Sequence, residues 1–403
     1  MSSKEWNELT FGDICNSVSE THKSKTGKLI FLNTGDIDKG NILHRNYSEV
    51  EKMPGQAKKA IKRGDILFSE IRPANGRWAY IDFDSQDFIV STKLMVIRAK
   101  NGVNPRFIYN YLTSEEITNK LQQLAESRSG TFPQITFSQV ADIKIKLPTE
   151  DTQNRITDFL DAINSKIELC HQANQTLTEI SKTLFQKYCT EDSDIISKGW
   201  RLMKLNEFIV VKNGYAFKGT EFIEVGVPVI KIKNVKAGKV ILNQLSYVSR
   251  EVADKAQRFR IQQNDLLITM SGNRIDGTPE TWVGKVGIFH REGEFLLNQR
   301  VSILNIIDEK KMSTYFLNQL LSNEDFQYHF ISNATSSGGQ ANISPDLIYN
   351  TEILVPPIEQ LKLFSDQAKD IYNKIFANEL EVETLTNLRE IILPKLMKGE
   401  INI

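Results

Sequence analysis

Cysteine, aromatic residues and long apolar runs are all scarce in this chain of 403 residues. Its three cysteines, Cys15, Cys170 and Cys189, cannot pair into a complete set of disulfides, which favours the reducing cytoplasm as its location. No run approaches the roughly eighteen apolar residues that a membrane helix needs, so we expect no membrane association.

Net charge is also absent, because 50 Lys and Arg balance 50 Asp and Glu. The balance differs along the chain: residues 1–150 carry 21 basic against 18 acidic side chains, and residues 198–355 carry 19 against 16. A positive surplus this small is a weak nucleic-acid footprint, and a solvated surface would explain it equally well.

Signatures of catalysis are missing too. The chain has no Asn/Asp-Pro-Pro-aromatic tetrad of amino-methyltransferases and no glycine-rich cofactor loop between a strand and a helix. The segment 284–287 (GKVG) lacks the upstream spacing of a phosphate loop and predicts a hairpin turn. Cys170 and His171 have no further ligand at metal-binding spacing. We therefore expect a non-catalytic chain that binds no cofactor or metal, and a lone enzyme is the least favoured interpretation.

What the chain does have is an internal repeat. Residues 129–148 align without a gap with residues 337–356, and each copy leads into a heptad-patterned helix of about forty residues. The period of 208 residues predicts two copies of one unit, each a globular part followed by a long helix. The predicted boundaries are 1–148 and 198–355 for the globular parts, and 149–190 and 356–403 for the helices.

Each globular part reads as α+β. In the first copy, short β-rich runs near residues 66–68, 78–81, 88–90 and 94–97 are separated by Gly, Pro, Asn and Asp. Residues 106–126 show helical spacing instead. The second copy repeats the strand pattern at residues 264–268 and 295–304.

The two long helices carry apolar seams of about 3.5-residue period. The seam positions are Ile156, Leu160, Ile163, Ile167, Cys170, Asn174, Leu177, Ser181, Leu184 and Tyr188 in the first helix, and Leu361, Phe364, Ala368, Ile371, Ile375, Asn378, Val382, Leu385, Arg389, Ile392 and Leu396 in the second. Pro394, Lys398 and Gly399 are its predicted stop signals. The short linker after the first helix predicts an antiparallel pair with a globular domain at each end, a pseudo-twofold arrangement. Two separately packed core helices are the alternative.

One polar layer is predicted in this pair. Asn174 and Asn378 both lie near mid-length on their seams, so in an antiparallel pair they would meet and fix the register. The alternative is that both reach solvent at the edge of the seam.

Loops that combine Arg, Asn and Lys with aromatics occur at matching places in both copies. Arg can hold guanine and Asn adenine through paired hydrogen bonds, while Ser and backbone amides bind phosphate. The candidate DNA contacts are Arg72, Asn75, Arg77, Trp78, Lys93, Arg128 and Ser129 in the first copy, and Lys218, Lys231, Lys233, Ser271, Asn273, Arg274, Lys285, Ser337 and Gln340 in the second. Lys23, Lys25, Lys28 and Lys236 are further candidates for backbone contacts. A hairpin with a solvated arginine, or a Ser-Gly pair that only turns the chain, would give the same pattern.

Together these features resemble the specificity subunit of type I restriction-modification enzymes. The resemblance spans nearly the whole chain and is most specific at the helix start 356–360 (PPIEQ) and at the tail 393–401 (LPKLMKGEI). The first helix start, 148–153 (PTEDTQ), departs from this pattern by lacking the second proline and the acid before the glutamine.

The resemblance implies a specific set of roles and partners. Two target recognition domains would each read one half of a bipartite double-stranded DNA site, and the two helices would form the spacer between them. The partners would be two adenine-methylating modification subunits and the restriction subunits. S-adenosylmethionine, ATP and Mg²⁺ would belong to those partners. The competing hypothesis is a coiled-coil scaffold or adaptor that binds proteins and no DNA.

Overall fold

The computed structural model describes residues 6–24, 27–128, 131–189, 199–274, 281–337 and 339–401, without the side chains of Arg128 and Ser337. The chain divides into two compact units. Unit 1 comprises Met1–Leu169 with Glu381–Ile403, and unit 2 comprises Cys170–Leu380. Each unit therefore holds one globular part and one half of each long helix.

The strands of the first globular part are β1 (Asn7–Thr10), β2 (Cys15–Val18), β3 (Lys28–Leu32), β4 (Ile37–Asp38), β5 (Asn41–Ile42), β6 (Tyr47–Glu49), β7 (Ala57–Ala60), β8 (Ile66–Ser69), β9 (Trp78–Tyr80), β10 (Phe88–Ser91), β11 (Leu94–Ala99) and β12 (Lys144–Leu147). Its helices are α1 (Phe11–Ile14), α2 (Pro105–Leu112), α3 (Glu115–Arg128) and α4 (Phe137–Ala141), followed by the long helix α5 (Glu150–Cys189). The helix predicted over 106–126 is thus two helices, with a break at Thr113 and Ser114.

The strands of the second globular part are β13 (Arg201–Lys204), β14 (Ile209–Asn213), β15 (Phe222–Ile223), β16 (Val227–Ile230), β17 (Val235–Lys236), β18 (Gly238–Val240), β19 (Ser246–Val248), β20 (Arg260–Ile261), β21 (Leu266–Thr269), β22 (Ser271–Gly272), β23 (Val286–Ile288), β24 (Phe295–Leu297), β25 (Val301–Ile306), β26 (Thr335–Ser337), β27 (Gln340–Asn342) and β28 (Glu352–Val355). Its helices are α6 (Arg250–Lys255), α7 (Thr314–Leu321), α8 (Glu324–Asn333) and α9 (Pro345–Asn350), followed by the long helix α10 (Ile358–Met397).

Sheet topology confirms the repeat for the strands that the two units share, and unit 2 extends its sheets with β15, β17 and β18. Unit 1 has an antiparallel sheet in the order β2-β11-β8-β9, and unit 2 has β14-β25-β21-β23 at the corresponding positions. A second sheet, β6-β3-β10-β7, contains the parallel pair β3 and β10 and corresponds to β19-β16-β24-β20 with its parallel pair β16 and β24. The pair β1 and β12 likewise corresponds to β13 and β28. The predicted α+β class is confirmed.

The central strand of each unit is buried on both faces. In β8, Ile66 and Phe68 belong to one hydrophobic cluster and Leu67 to another. In β21, Leu267 likewise belongs to a different cluster from its neighbours on either side. Because strand side chains alternate between faces, a continuous apolar run here separates two cores.

Each long helix is 40 residues long; α5 lies within one residue of the predicted bounds 149–190, whereas α10 begins two residues after and ends six residues before the predicted 356–403. In unit 1 the first half of α5 packs against the last half of α10, where Arg389 Nη1 donates to Asn164 Oδ1 at 2.9 Å. In unit 2 the remaining halves pack together, with the Phe185 and Phe364 rings 5.6 Å apart. The helices are therefore antiparallel within each unit, and the predicted seams face inwards.

The polar layer is present in unit 2. Asn378 Nδ2 donates to Asn174 Oδ1 at 2.8 Å, and Asn174 Nδ2 donates to the Ile375 carbonyl at 3.2 Å. Asn378 is 3% exposed, so its amide is satisfied inside the protein rather than by water. The prediction that the two asparagines share one layer is confirmed.

One predicted stop signal is wrong. Pro394 lies inside α10, which continues to Met397. Lys398 N still donates to the Pro394 carbonyl at 3.2 Å, so the last turn closes beyond the proline. Gly399, at φ +71°, then provides the left-handed residue on which the helix ends.

All three cysteines are free and buried. Burial raises the thiol pKa of Cys15 and of Cys189 to about 12. Among the described residues, no helix is both long enough and apolar enough to cross a bilayer.

Candidate nucleic-acid interface

Three segments meet at the C-terminal end of β8 in unit 1. The Glu70 amide donates to the Lys93 carbonyl at 3.1 Å, and the Glu70 carbonyl accepts from the Ile135 amide at 2.9 Å. An isolated bridge pairs Ile71 with Gln134. We call this surface face 1: residues 70–77, 92–93 and 131–135.

The same junction recurs in unit 2. The Met270 amide donates to the Arg300 carbonyl at 2.8 Å, and the Met270 carbonyl accepts from the Ile343 amide at 3.0 Å. Here the isolated bridge of unit 1 is replaced by a three-stranded sheet in the order β22-β27-β26. We call this surface face 2: residues 270–274, 299–300, 335–337 and 339–343.

Local backbone geometry shapes the loop of face 1. Ser69 Oγ accepts from the Ile71 amide at 3.0 Å and donates to the Ile71 carbonyl at 3.1 Å, which turns the chain as β8 ends. Arg72 has φ +44°, a left-handed conformation that is strained for a non-glycine residue, and it precedes the 3-10 turn Pro73–Asn75. Gly76 closes this turn at φ +73°, where an added Cβ would lie 2.7 Å from Lys39 Cγ. Strain of this kind is common where a loop carries function.

Three of the predicted contacts in unit 1 lie on face 1 with exposed side chains: Arg72, Asn75 and Lys93. Arg72 Nη2 reaches the Thr131 carbonyl at 3.4 Å, which links the loop to the segment after α3. The side chain of Arg128 and all of Ser129 lie outside the described residues.

Arg77 and Trp78 face the framework instead. Arg77 Nη1 donates to the Ile37 carbonyl at 2.8 Å and lies 3.3 Å from Asp38 Oδ1. The Trp78 ring stacks on Phe68 with centroids 5.6 Å apart. Both side chains attach the loop to the core, so we leave them out of the proposed contact surface.

On face 2, Asn273 and Arg274 are exposed. Arg274 Nη2 donates to the Ala334 carbonyl at 2.7 Å and to Ser336 Oγ at 2.9 Å, so its guanidinium lies across the β26 hairpin. Gln340 Oε1 accepts from Arg300 Nη1. These contacts fix two guanidinium groups on one small sheet before any ligand binds.

Two predicted contacts of unit 2 are buried. Ser271 is 7% exposed and its hydroxyl donates to Asn342 Oδ1 at 2.7 Å. Lys285 is 8% exposed and its Nζ lies 5.6 Å from the centre of the Trp282 ring. Both stabilise the loop from beneath, and we leave them out of the contact surface as well. The side chain of Ser337 lies outside the described residues.

Among the predicted lysines of unit 2, Lys231 lies beside face 2 rather than on it. Lys231 directly follows Ile230, whose carbonyl accepts from the Asn298 amide at 3.0 Å at the β24–β25 turn. Lys231 Nζ lies 3.4 Å from the centre of the Phe222 ring, and burial, with Lys233 nearby, lowers the pKa of its ammonium group. Lys218 and Lys233 are exposed.

Arg300 and Ser336 are the functional candidates that the sequence analysis missed. Arg300 occupies the position of Lys93 in the second copy, since each residue bonds through its carbonyl to the amide at the end of the central strand. The signal was available in the repeat, because the two positions are 207 residues apart. Ser336 carried no such signal, since its role depends on the hairpin that places it beside Arg274.

The part of the chain that the structure describes has no candidate metal-binding site. No group of three or more His, Cys, Asp or Glu side chains there could hold a metal ion. The chemistry that both faces offer is hydrogen bonding and positive charge.

Comparisons with known proteins find the same family in both halves of the chain. Residues 3–179 and 197–388 each match the family described as "Type I restriction modification DNA specificity domain". The chain is 30% identical over 470 residues to the specificity subunit of the type I restriction enzyme HindI of Haemophilus influenzae, covering 98% of this chain and 100% of that one. It is 26% identical over 328 residues to the MjaVIII specificity subunit of Methanocaldococcus jannaschii, covering 78% and 75% of the two chains.

Among solved structures, the fold is similar to that of a type I restriction-modification S subunit from M. genitalium. The TM-score is 0.61 at 15% identity, with 98% of this chain and 97% of that chain covered. At this identity the likeness concerns the fold alone.

Proposed function

The chain belongs to the family of type I restriction-modification DNA specificity subunits, and we propose that face 1 and face 2 each read one half of a bipartite, asymmetric DNA site. The observation that carries this proposal is the recurrence of one junction, at the end of β8 and of β21, beneath two different sets of exposed polar side chains. As a specificity subunit, the chain is itself non-catalytic.

The exposed side chains suit direct reading of base edges. Arg72 and Asn75 on face 1, and Asn273 and Arg274 on face 2, combine the groups that pair with guanine and with adenine in the major groove. Because the two faces share a framework but not these residues, they should read unrelated half-sites.

We infer that two adenine-methylating modification subunits, and through them the restriction subunits, dock on the long helices. Both helices carry large apolar side chains that the described chain leaves uncovered. Examples are Leu169 at 60% and Ile180 at 44% on α5, and Leu363 at 51% and Ile391 at 59% on α10. Exposed apolar groups along a helix that already has a packed seam fit a protein partner. S-adenosylmethionine, ATP and Mg²⁺ would then be bound by those partners.

Footprinting with the co-purified modification partner tests the proposal. We expect protection of two DNA blocks separated by an uncontacted spacer. Arg72→Ala should weaken protection of one block and Arg274→Ala protection of the other. The control is Lys52→Ala, which should weaken neither; Lys52 lies just after β6, and its ammonium group is 2.6 Å from the Glu49 carboxylate. A single continuous block, or no protection at all, would contradict the proposal and favour a protein scaffold.

The helices supply a second test, on the spacer. We propose that α5 and α10 set the spacer length and that the two faces set the half-site sequences. Adding or removing one turn in both helices should change the spacer mapped by sequencing of methylated adenine. A change in the half-site sequences themselves would refute this division of roles.

A further inference from the structure

The two units place a cation at one equivalent position, the turn after the parallel-paired strand. Lys93 lies in the two-residue turn between β10 and β11, and Arg300 lies in the turn between β24 and β25. The carbonyl of each accepts from the amide that follows the central strand, at 3.1 Å in unit 1 and 2.8 Å in unit 2. Both side chains are exposed.

Different buried groups hold these turns in place. In unit 1, Lys59 is 9% exposed, and its Nζ donates to the carbonyls of Thr92 at 3.1 Å and Leu94 at 2.7 Å, on either side of Lys93. In unit 2, Asn298 is 8% exposed and its Oδ1 accepts from the Arg300 amide at 3.3 Å. The position of the cation is therefore maintained by two unrelated supports.

No carboxylate of the described residues neutralises either cation. Within the described ranges, no carboxylate pairs with Lys93 or Arg300, and the partner of Arg300 is the uncharged Gln340. Other cations near the same strands have acidic partners, such as Arg98 with Asp65 at 2.7 Å. An exposed, positioned and uncompensated positive charge is suited to an anion.

We propose that Lys93 and Arg300 are a matched pair of phosphate-contacting residues, one for each half-site, with Gln340 as the positioning residue of Arg300. This inference rests on the proposed function. Phosphate is favoured over a base edge because the position accepts either Lys or Arg, which share a charge but not the planar fork that reads guanine. Phosphate contacts fix the register of a protein on the duplex and carry no sequence information, which suits a position that recurs under two different reading surfaces.

The test measures how DNA affinity of the complex with the modification subunits depends on salt concentration. The probes are a duplex with the mapped site and a scrambled duplex. Log affinity falls as log salt rises, and each phosphate contact makes this fall steeper by about 0.9. We therefore expect Lys93→Ala and Arg300→Ala each to reduce the magnitude of this slope by about 0.9, and the double variant by about 1.8. Affinity for both duplexes should fall by the same factor.

The matched controls are Arg63→Ala and Lys239→Ala. Arg63 is exposed just before β8, and Lys239 is exposed on β18, where its register partner Ile288 pairs with the first residue of β21. Both thus lie at the opposite end of the central strand from the faces, and we expect an unchanged slope. Lys93→Arg and Arg300→Lys should retain the slope. Gln340→Ala should lower DNA affinity when Arg300 is present and should have no further effect in the Arg300→Ala variant.

Two outcomes would overturn the assignment of Lys93 and Arg300 to phosphate contacts. An unchanged slope in both alanine variants would show that these side chains contact no phosphate. A loss confined to the duplex with the mapped site would assign them to base reading instead. Failure of the proposed function would give a different result, because the wild-type complex would then bind the two duplexes with equal affinity.

Discussion

The two units share a framework and differ at the surface that it carries. The order of four strands in each main sheet, the parallel pair and the backbone bonds at the end of the central strand are the same in both, although unit 2 extends its sheets with β15, β17 and β18. On that framework unit 1 places a strained 3-10 turn, and unit 2 places a three-stranded sheet. A strand buried on both faces tolerates little change, whereas a loop beyond its end is restrained only by a few backbone bonds. This separation would allow a recognition surface to change without loss of the fold.

The framework itself differs at one buried position. Asp65 is fully buried, and its carboxylate accepts from Arg98 Nε at 2.7 Å and Nη2 at 2.9 Å. In unit 2 the counterpart of Asp65 is Asp265, and Asn305 takes the position that Arg98 has in unit 1. Burial raises the carboxyl pKa of Asp265. Both aspartates accept a backbone amide three residues earlier, at 2.9 and 2.7 Å. The turn is thus shared, and the ion pair is specific to unit 1.

The largest expected effect comes from this ion pair. Asp65→Asn removes the fully buried carboxylate from the Arg98 guanidinium and leaves it only the exposed Glu20, 2.9 Å from Nη1, so we expect a loss of about 3–5 kcal/mol in the unfolding free energy of unit 1. Asp265→Asn keeps the hydrogen bond from the Gln262 amide through its side-chain oxygen, so its unfolding free energy should stay within about 1 kcal/mol of wild type. Hydrogen exchange of peptides from β8 and β21 measures each unit separately. Equal losses in the two variants would contradict the assigned difference.

Core truncation should instead affect the two units alike. Leu67 and Leu267 are fully buried at equivalent positions, so replacing either with alanine should destabilise its own unit by about 3 kcal/mol. The same hydrogen-exchange measurement reports both variants, and Leu43→Ala, at a side chain that is 59% exposed, is the control. A much smaller loss in one unit would mean that the framework is less equivalent than its topology.

The sequence predicted the framework better than the surface. The repeat, the paired strands and both seams follow from apolar spacing, which burial enforces along the whole length of an element. The surface depends on single side chains whose neighbours are distant in sequence. Arg77 and Trp78 looked like ligand-reading residues because the loop that contains them is polar, but Asp38 and Phe68 hold them to the framework. Pro394 was read from residue type alone, and the packed end of α10 tolerates it.

The helix halves offer a smaller contrast between the units. In unit 2, Asn378→Leu would leave Asn174 Oδ1 without its donor and should cost about 1–3 kcal/mol. Replacing both asparagines should restore most of that stability and loosen the register, because apolar pairs accept several alignments. A double-mutant cycle by chemical denaturation measures the coupling. In unit 1, Asn164→Leu should cost less, because Asn164 and its partner Arg389 are only half-buried.

The smallest expected effect is a pH dependence confined to unit 2. Burial raises the carboxyl pKa of Asp265 above its ordinary value of 3.8, so the folded state favours the protonated form. The contribution of this group to stability is therefore fully present below pH 3.8 and is lost as the pH rises through the raised folded pKa. Asp265→Asn cannot ionise, so the stability of this variant relative to wild type should improve across that window and then level off.

The difference in unfolding free energy between Asp265→Asn and wild type, measured by denaturant titration at several pH values, checks this dependence. Glu309→Gln, at an exposed carboxylate in the same unit, is the control and should show no such improvement. A difference that is flat with pH would mean that Asp265 is as well solvated when folded as when unfolded. The contrast between the units at this position would then rest on Arg98 alone.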